Sequence, residues 1–261
     1  MIKAKKSLGQ NFLNDKDILE KIVNAAIVKN KTIMEVGPGT GNLTSYILKK
    51  DPKIIYCIEK DSFLAEKLSV KFKEKLFIIN EDILKIDENN TFDEQVVVFG
   101  NLPYNISTEI LSKWILNLKN EFWFEKLILM FQKEVADRII AKSNTSQYGR
   151  LTILSNWKLN VKKICDVSPN AFFPKPKIDS SVLIFSPKSS YYKIKDPKNL
   201  EKITRTFFSQ RRKMIKKPFN KLFNGDQNIA NKLKIDLNLR PQNLNFETYY
   251  KLAYEYENLT C

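Results

Sequence analysis

Histidine is missing from all 261 residues. Its absence removes imidazole acid–base catalysis, serine–histidine and cysteine–histidine nucleophilic pairs, and every metal site that would use an imidazole. Cysteine is nearly as scarce. Cys57, Cys165 and Cys261 lie far apart and make no C-x-x-C pair. Structural zinc needs four grouped ligands and a disulfide framework needs a clustered even set, so neither is expected. The economical reading is three free thiols in a reducing cytosol, and hence a cytoplasmic protein. No apolar run approaches the ~20 residues of a membrane span, so no membrane partner is expected, and residues 1–10 do not read as a signal peptide.

What is present suits a folded chain: 43% hydrophobic and 28% charged residues, enough for a sizeable core. At ~100–200 residues per domain, the length fits one large domain or a large one with a small companion. The charge is less ordinary, with 44 Lys plus Arg against 29 Asp plus Glu, a net +15. A nucleic-acid partner accounts for that excess through phosphate neutralisation and counterion release; a drift of composition toward Lys, Asn and Ile also does. Distribution separates the two. Residues 187–261 hold 16 basic and 7 acidic side chains, against 28 and 22 in residues 1–186. Only six arginines occur, and two stand together as Arg211-Arg212, with Lys213, Lys216 and Lys217 close behind. Guanidinium grips phosphate bidentately, so this run is the candidate RNA-binding segment rather than a merely solvated face.

Short β-branched runs alternate with amphipathic stretches to about residue 185, the pattern of βαβ units around a mostly parallel sheet. Strands are expected at Thr32–Val36, Ile54–Glu59, Leu76–Asn80, Val96–Gly100 and Leu127–Phe131. Asn160–Val167 and Val182–Ser186 would close an antiparallel edge. Helices are expected at Asp17–Ala26, Leu43–Lys50, Phe63–Phe72, Glu109–Leu118 and Glu134–Ala141. Beyond Pro187 the texture turns helical: Leu200–Lys217, ended by Pro218, then Ile229–Lys234 and Phe246–Tyr256. The expected organisation is an α/β domain over 1–186 and a small basic helical domain over 187–261.

The first strand runs into Gly37-Pro38-Gly39-Thr40-Gly41-Asn42, where glycines let backbone turn tightly and approach a ligand. No Gly-Lys-Ser/Thr follows, and Asn42 occupies the third glycine position of a dinucleotide fingerprint. The spacing resembles the cofactor loop of S-adenosyl-L-methionine (SAM) dependent methyltransferases, although a structural strand-to-helix turn reads the same way. Glu59 ends the second strand, 20 residues after Gly39, where a carboxylate can accept two ribose hydroxyls. Asp82 follows the third strand and would take an adenine amine. Glu35, inside the first strand, is either a buried partner or a contact for the amino-acid end of the cofactor.

The fourth strand ends in Gly100-Asn101-Leu102-Pro103-Tyr104, which resembles the Asn/Asp-Pro-Pro-Tyr/Phe motif of methyltransferases acting on ring-conjugated amines. An adenine amine is a poor nucleophile because its lone pair is delocalised. Acceptors on its N–H groups, the Asn101 side-chain carbonyl and the Leu102 backbone carbonyl, would localise that lone pair on the line of attack. Pro103 stiffens the turn and Tyr104 offers a face for stacking. No strong base is needed, so the missing histidine costs the chemistry nothing. In Ala171-Phe172-Phe173-Pro174-Lys175-Pro176, Phe172 is the expected ring for the base's other face and Phe173 is expected in the core.

These motifs, with Leu8-Gly9-Gln10-Asn11-Phe12-Leu13, Tyr148-Gly149-Arg150-Leu151, Phe208–Lys213 and Leu239–Leu244, resemble the small-subunit ribosomal RNA adenine dimethyltransferase family (KsgA/RsmA) nearly end to end. The resemblance implies a Rossmann-like SAM-dependent methyltransferase with SAM contacts at Asn11, Leu13, Gly37, Gly39, Glu59, Asp82 and Asn101. Asn101, Leu102, Pro103, Tyr104 and Phe172 would handle the target adenine. It also implies dimethylation of two adjacent adenosines in a hairpin near the 3′ end of 16S rRNA. The partner would be the immature small ribosomal subunit, with a monomeric enzyme and a further assembly role. Lys60, Phe173 and Ile178 depart from the family pattern, and none is expected to touch a chemical role. The rivals are a large-subunit adenine methyltransferase of the antibiotic-resistance type, against which Phe208–Lys213 and Arg240-Pro241 speak, and an assembly factor whose methylation is incidental.

Overall fold

The protein's structure, a computed structural model, describes Lys5, residues 8–118 and residues 121–260; Cys261 lies outside that range. Phe12–Leu13 (β1) leads to helix Lys16–Val23 (α1), whose N-cap Asp15 accepts from the Ile18 N–H at 3.0 Å. Next come Thr32–Val36 (β2), Asn42–Leu48 (α2), Ile54–Ile58 (β3), Ser62–Phe72 (α3) and Phe77–Ile79 (β4). Glu88–Thr91 (α4), Val96–Asn101 (β5), Ser107–Leu116 (α5), Phe124–Gln132 (β6), Lys133–Ile139 (α6) and Arg150–Lys158 (α7) follow. The chain then forms Leu159–Val167 (β7), Phe172–Phe173 (β8) and Ser180–Pro187 (β9). The last helices are Pro197–Phe208 (α8), Lys216–Phe223 (α9), Gln227–Lys232 (α10) and Phe246–Thr260 (α11).

Seven strands make one sheet in the order β4-β3-β2-β5-β6-β9-β7. The strands from β2 to β6 pair in parallel and β9 returns antiparallel to β6. Every residue of β2 and the first five of β5 are buried, as a parallel sheet covered on both faces demands of its central strands. This is the expected α/β, Rossmann-like arrangement. From β2 the chain steps outward to β3 and β4, then crosses to β5 on the other side. The order therefore reverses between β2 and β5, where loops at the carboxyl ends diverge and leave a crevice for a ligand. A separate two-stranded ribbon pairs β1 with β8, Phe12 opposite Phe173 and Leu13 opposite Phe172.

The chain divides into two compact units. One holds residues 1–113, 118–136 and 161–187, which includes all of β2 to β6 and β9. The other holds residues 114–117, 137–160 and 188–261. Residues 137–160 thus group with the C-terminal helices, not with the sheet that flanks them in sequence. Their aromatics explain it: Tyr148 lies 5.5 Å from Phe246 between ring centroids, Trp157 Nε1 donates to the Tyr192 carbonyl at 2.8 Å, and the Tyr250 hydroxyl donates to the Ile153 carbonyl at 3.1 Å.

One expected helix is corrected. Leu200–Lys217 is not continuous: α8 ends at Phe208, residues 209–212 turn, and α9 starts at Lys216. Pro218 does not stop a helix but sits in the first turn of α9, where a missing N–H loses no intrahelical bond. The basic run accordingly divides between the connection, which carries Arg211, Arg212 and Lys213, and the first turn of α9, which carries Lys216 and Lys217. Among the described residues, no helix is long and apolar enough to cross a membrane.

Candidate active site

A cleft of about 190 Å³ opens at the carboxyl ends of the central strands. The glycine loop forms its floor. Gly37, Gly39 and Gly41 all take positive φ, at 67°, 58° and 76°. A Cβ on Gly39 would stand 2.9 Å from the Phe12 ring, and one on Gly41 would stand 2.5 Å from the Phe72 ring. Glycine is therefore required both by dihedral angle and by close approach. Asn42, read in the sequence only as a missing glycine, donates its amide to the Leu13 carbonyl at 2.8 Å. It ties the loop to the amino-terminal strap, residues 8–13, which forms the roof.

Two carboxylates face this cleft where the sequence placed them. Glu59 Oε2 accepts from the Gly39 N–H at 3.1 Å and Oε1 accepts from the Asp61 N–H at 2.9 Å. Burial pushes its pKa up, and those two N–H groups only partly counter the rise. Asp82 has Oδ1 on the Leu84 N–H at 3.0 Å and Oδ2 on Lys60 Nζ at 2.7 Å. Burial would raise its carboxyl, but the Lys60 ammonium and the Leu84 N–H outweigh burial and hold it below the usual range. Lys60, a departure from the family pattern, is thus the ion-pair partner of Asp82. Glu35 is 1% exposed, as a buried partner would be, and is also part of the cleft wall. Burial lifts its pKa to about 7, with Thr44 working against the rise and the Glu59 charge adding to it.

The strap is built into the site from several directions. Asp61 accepts from Lys5 Nζ at 2.8 Å and from the Gln10 amide at 3.1 Å. Asn11 and Leu13 line the cleft, and the Asn11 carbonyl accepts from Asn101 Nδ2 at 2.9 Å. That bond assigns the Asn101 amide: its NH₂ is engaged by the roof, which leaves Oδ1 as the acceptor. Leu102 buries its side chain over Gly100, where a Cβ would meet Leu102 Cδ2 at 2.8 Å. The turn closes with Ile106 N–H on the Pro103 carbonyl at 3.1 Å. The Tyr104 hydroxyl shares a 2.5 Å hydrogen bond with Ser180 Oγ, which is fully buried at the start of β9. Burial raises the phenol's pKa, so it stays neutral. Ser180 had no role assigned from sequence, because a contact 76 residues long has no local signature.

The paired phenylalanines reverse the expectation. Phe172 is 5% exposed, packs in the core cluster with Leu13 and Val167, and is not among the residues that line the cleft. Phe173, expected in the core, is 59% exposed. Register is the cause: side chains alternate along β8, and pairing with β1 puts Phe172 on Leu13's inward face and Phe173 on Phe12's face. In the second unit, Arg211 Nε donates to Gln242 Oε1 at 3.1 Å and Nη2 to the Thr145 carbonyl at 3.1 Å, a strut between loops. Arg212, Lys213, Lys216 and Lys217 are exposed.

The cleft's donor set fits SAM. A glycine-rich floor, with Pro38 and Thr40 beside the glycines, lies among three carboxylates that would suit a ribose, a base amine and an ammonium. Glu59, Asp82 and Glu35 would hold those groups, with Asn11, Leu13, Gly37 and Gly39 shaping the bed.

Comparison with known proteins agrees. The family model described as ribosomal RNA adenine dimethylase matches residues 1–258. The ribosomal RNA small subunit methyltransferase A of Pelagibacter ubique (strain HTCC1062) is 64% identical over 258 residues, covering 99% of this chain and 98% of that protein. A dimethyladenosine transferase from Plasmodium falciparum superposes with a TM-score of 0.79 at 28% identity, covering 95% of this chain and 98% of the other. The 23S rRNA methyltransferase ErmE shares the fold at a TM-score of 0.70 and 20% identity, over 95% and 99% of the two chains. With the glycine floor, the acidic walls and the Asn101 turn on one sheet edge, the chain belongs to the ribosomal RNA adenine dimethylase family, enzymes that draw their methyl group from SAM.

Proposed function

We propose that this methyltransferase dimethylates the exocyclic amino groups of two adjacent adenosines in a hairpin near the 3′ end of 16S rRNA. It acts as a monomer in the cytoplasm on immature small subunits, and its grip on that particle gives it a second role in assembly. One observation carries the chemistry: the Asn101 amide is oriented by the Asn11 carbonyl, which leaves Oδ1 as the acceptor of a residue that lines the cleft together with Tyr104. The small-subunit substrate is supported by the names of the relatives, and the basic excess of the C-terminal segment supports an RNA partner.

Bound SAM supplies a methyl group on a sulfonium, which becomes neutral on transfer. The chain's own residues prepare the nucleophile. In the first transfer Asn101 Oδ1 and the Leu102 carbonyl accept from the two amine N–H groups, drawing the nitrogen out of conjugation and turning its lone pair toward the cleft; in the second, one of them accepts from the single N–H that remains. Tyr104, held by Ser180, offers its ring to the base, and Pro103 keeps acceptors and ring in one frame. The proton leaves for water after the new bond has formed, which no buried base has to assist. Positioning supplies most of the rate. Phe172 would serve as the opposing ring only after leaving its core packing.

Incubating the protein with SAM and either undermethylated small subunits, naked 16S rRNA or large subunits, then mapping modified adenines, tests the substrate. Dimethyladenosine confined to small-subunit RNA is expected; modification of large subunits alone would overturn the assignment. For the basic run, replacing Arg212 and Lys213 by alanine is expected to weaken particle binding and reduce the slope of log affinity against log salt by about 1–2. Arg211→Ala is expected instead to lower the melting temperature, since its guanidinium braces two loops. An unchanged slope would make the exposed run a solvated loop.

A further inference from the structure

The segment between β8 and β9 is anchored to the site at both ends. At its start, Phe173 shares a face of the ribbon with Phe12, whose ring lies on Gly39. At its end, Ser180 holds the Tyr104 hydroxyl, and the adjacent Asp179 carbonyl accepts from the Lys133 N–H at 2.9 Å. Between these anchors Phe173, Lys175, Lys177 and Ile178 are exposed. A 59% exposed phenylalanine contributes little to folding, and this one is followed within four residues by two exposed lysines.

We propose that residues 173–178 are a docking surface for the single-stranded RNA that flanks the target adenosine. Phe173 stacks on a neighbouring base, while Lys175 and Lys177 neutralise phosphates on either side of it. Alternating ring and cation suits nucleic acid, because every nucleotide pairs an apolar face with an anion. A protein partner would instead leave two ammonium groups to desolvate between Phe173 and Ile178. The proposal rests on the RNA substrate proposed above, and it adds which nucleotides are gripped and by what.

Phe173→Ala is expected to raise KM for the rRNA substrate roughly tenfold, with kcat moving less than twofold and SAM affinity unchanged. Phe173→Trp is expected to restore KM, and its indole fluorescence to be quenched by an unstructured adenosine-rich oligoribonucleotide without SAM. Replacing Lys175 and Lys177 by alanine is expected to lower the salt slope of that binding by about 1.4. An unaltered KM in Phe173→Ala together with an unquenched indole in Phe173→Trp overturns the docking surface. Failure of the unaltered enzyme to methylate small-subunit RNA would sink the substrate assignment alone, since the quenching readout needs no turnover.

Discussion

Asn101→Ala is expected to lower kcat by about 100- to 1,000-fold while the SAM dissociation constant changes only a few-fold, the scale seen when one positioned polar group is removed from a reacting centre. The direction follows from the two ends of the amide. Nδ2 donates to the Asn11 carbonyl at 2.9 Å, so the truncation loosens one bond to the roof. In the proposed mechanism Oδ1 is the acceptor that prepares the amine, and alanine offers no replacement. Asn101→Asp keeps an oxygen but sets a carboxylate against the Asn11 carbonyl, so it is expected to lose SAM affinity as well as turnover. Single-turnover methylation alongside calorimetric SAM binding separates the effects. Equal loss of both in Asn101→Ala would make the residue chiefly a cofactor contact.

The second large effect concerns pH. Glu35 is buried, and its pKa is raised from 4.5 to about 7 in the folded protein. Because the folded value exceeds the unfolded one, the protonated carboxyl favours folding, and that advantage is full below about pH 4.5. It is lost progressively as the unfolded chain ionises, and gone above about pH 7, a difference of about 3 kcal/mol. Glu35→Gln removes the titration. Without SAM, the variant is expected to match the parent near pH 5 and to be more stable near pH 8 by up to that amount. Denaturant unfolding of both across this range checks it; parallel curves would show that Glu35 does not titrate there. Thr44, Cys57, Glu59 and Lys71 surround the group and remain in both proteins.

How much of this was legible in sequence depended on range. β2 matches its expected bounds, and the glycine loop and Asn101–Tyr104 turn lie where the motifs put them, because dihedral need and short spacing write them locally. Phe172 and Phe173 were assigned the wrong way round for exposure because a two-residue strand carries no period. Which ring faces inward is decided by pairing with Phe12 and Leu13, some 160 residues earlier. Pro218 misled for a related reason, since proline is equally at home after a helix and in the first turn of the next. Lys60 read only as a departure, because its partner Asp82 lies on the following strand end. Arg211 looked like a phosphate ligand because its partners Thr145 and Gln242 are 66 and 31 residues away.

The ribbon of β1 and β8 carries a last consequence for how the enzyme is made. Phe12 leaves the translating ribosome early, but Phe173, its pairing partner, emerges only after about two-thirds of the chain has been synthesised. Until then the leading segment has nowhere to dock through this ribbon, and the asparagine amide it orients stays unsteadied by it. Competence should therefore arrive late and abruptly during synthesis, as the slow closure of so long a loop implies.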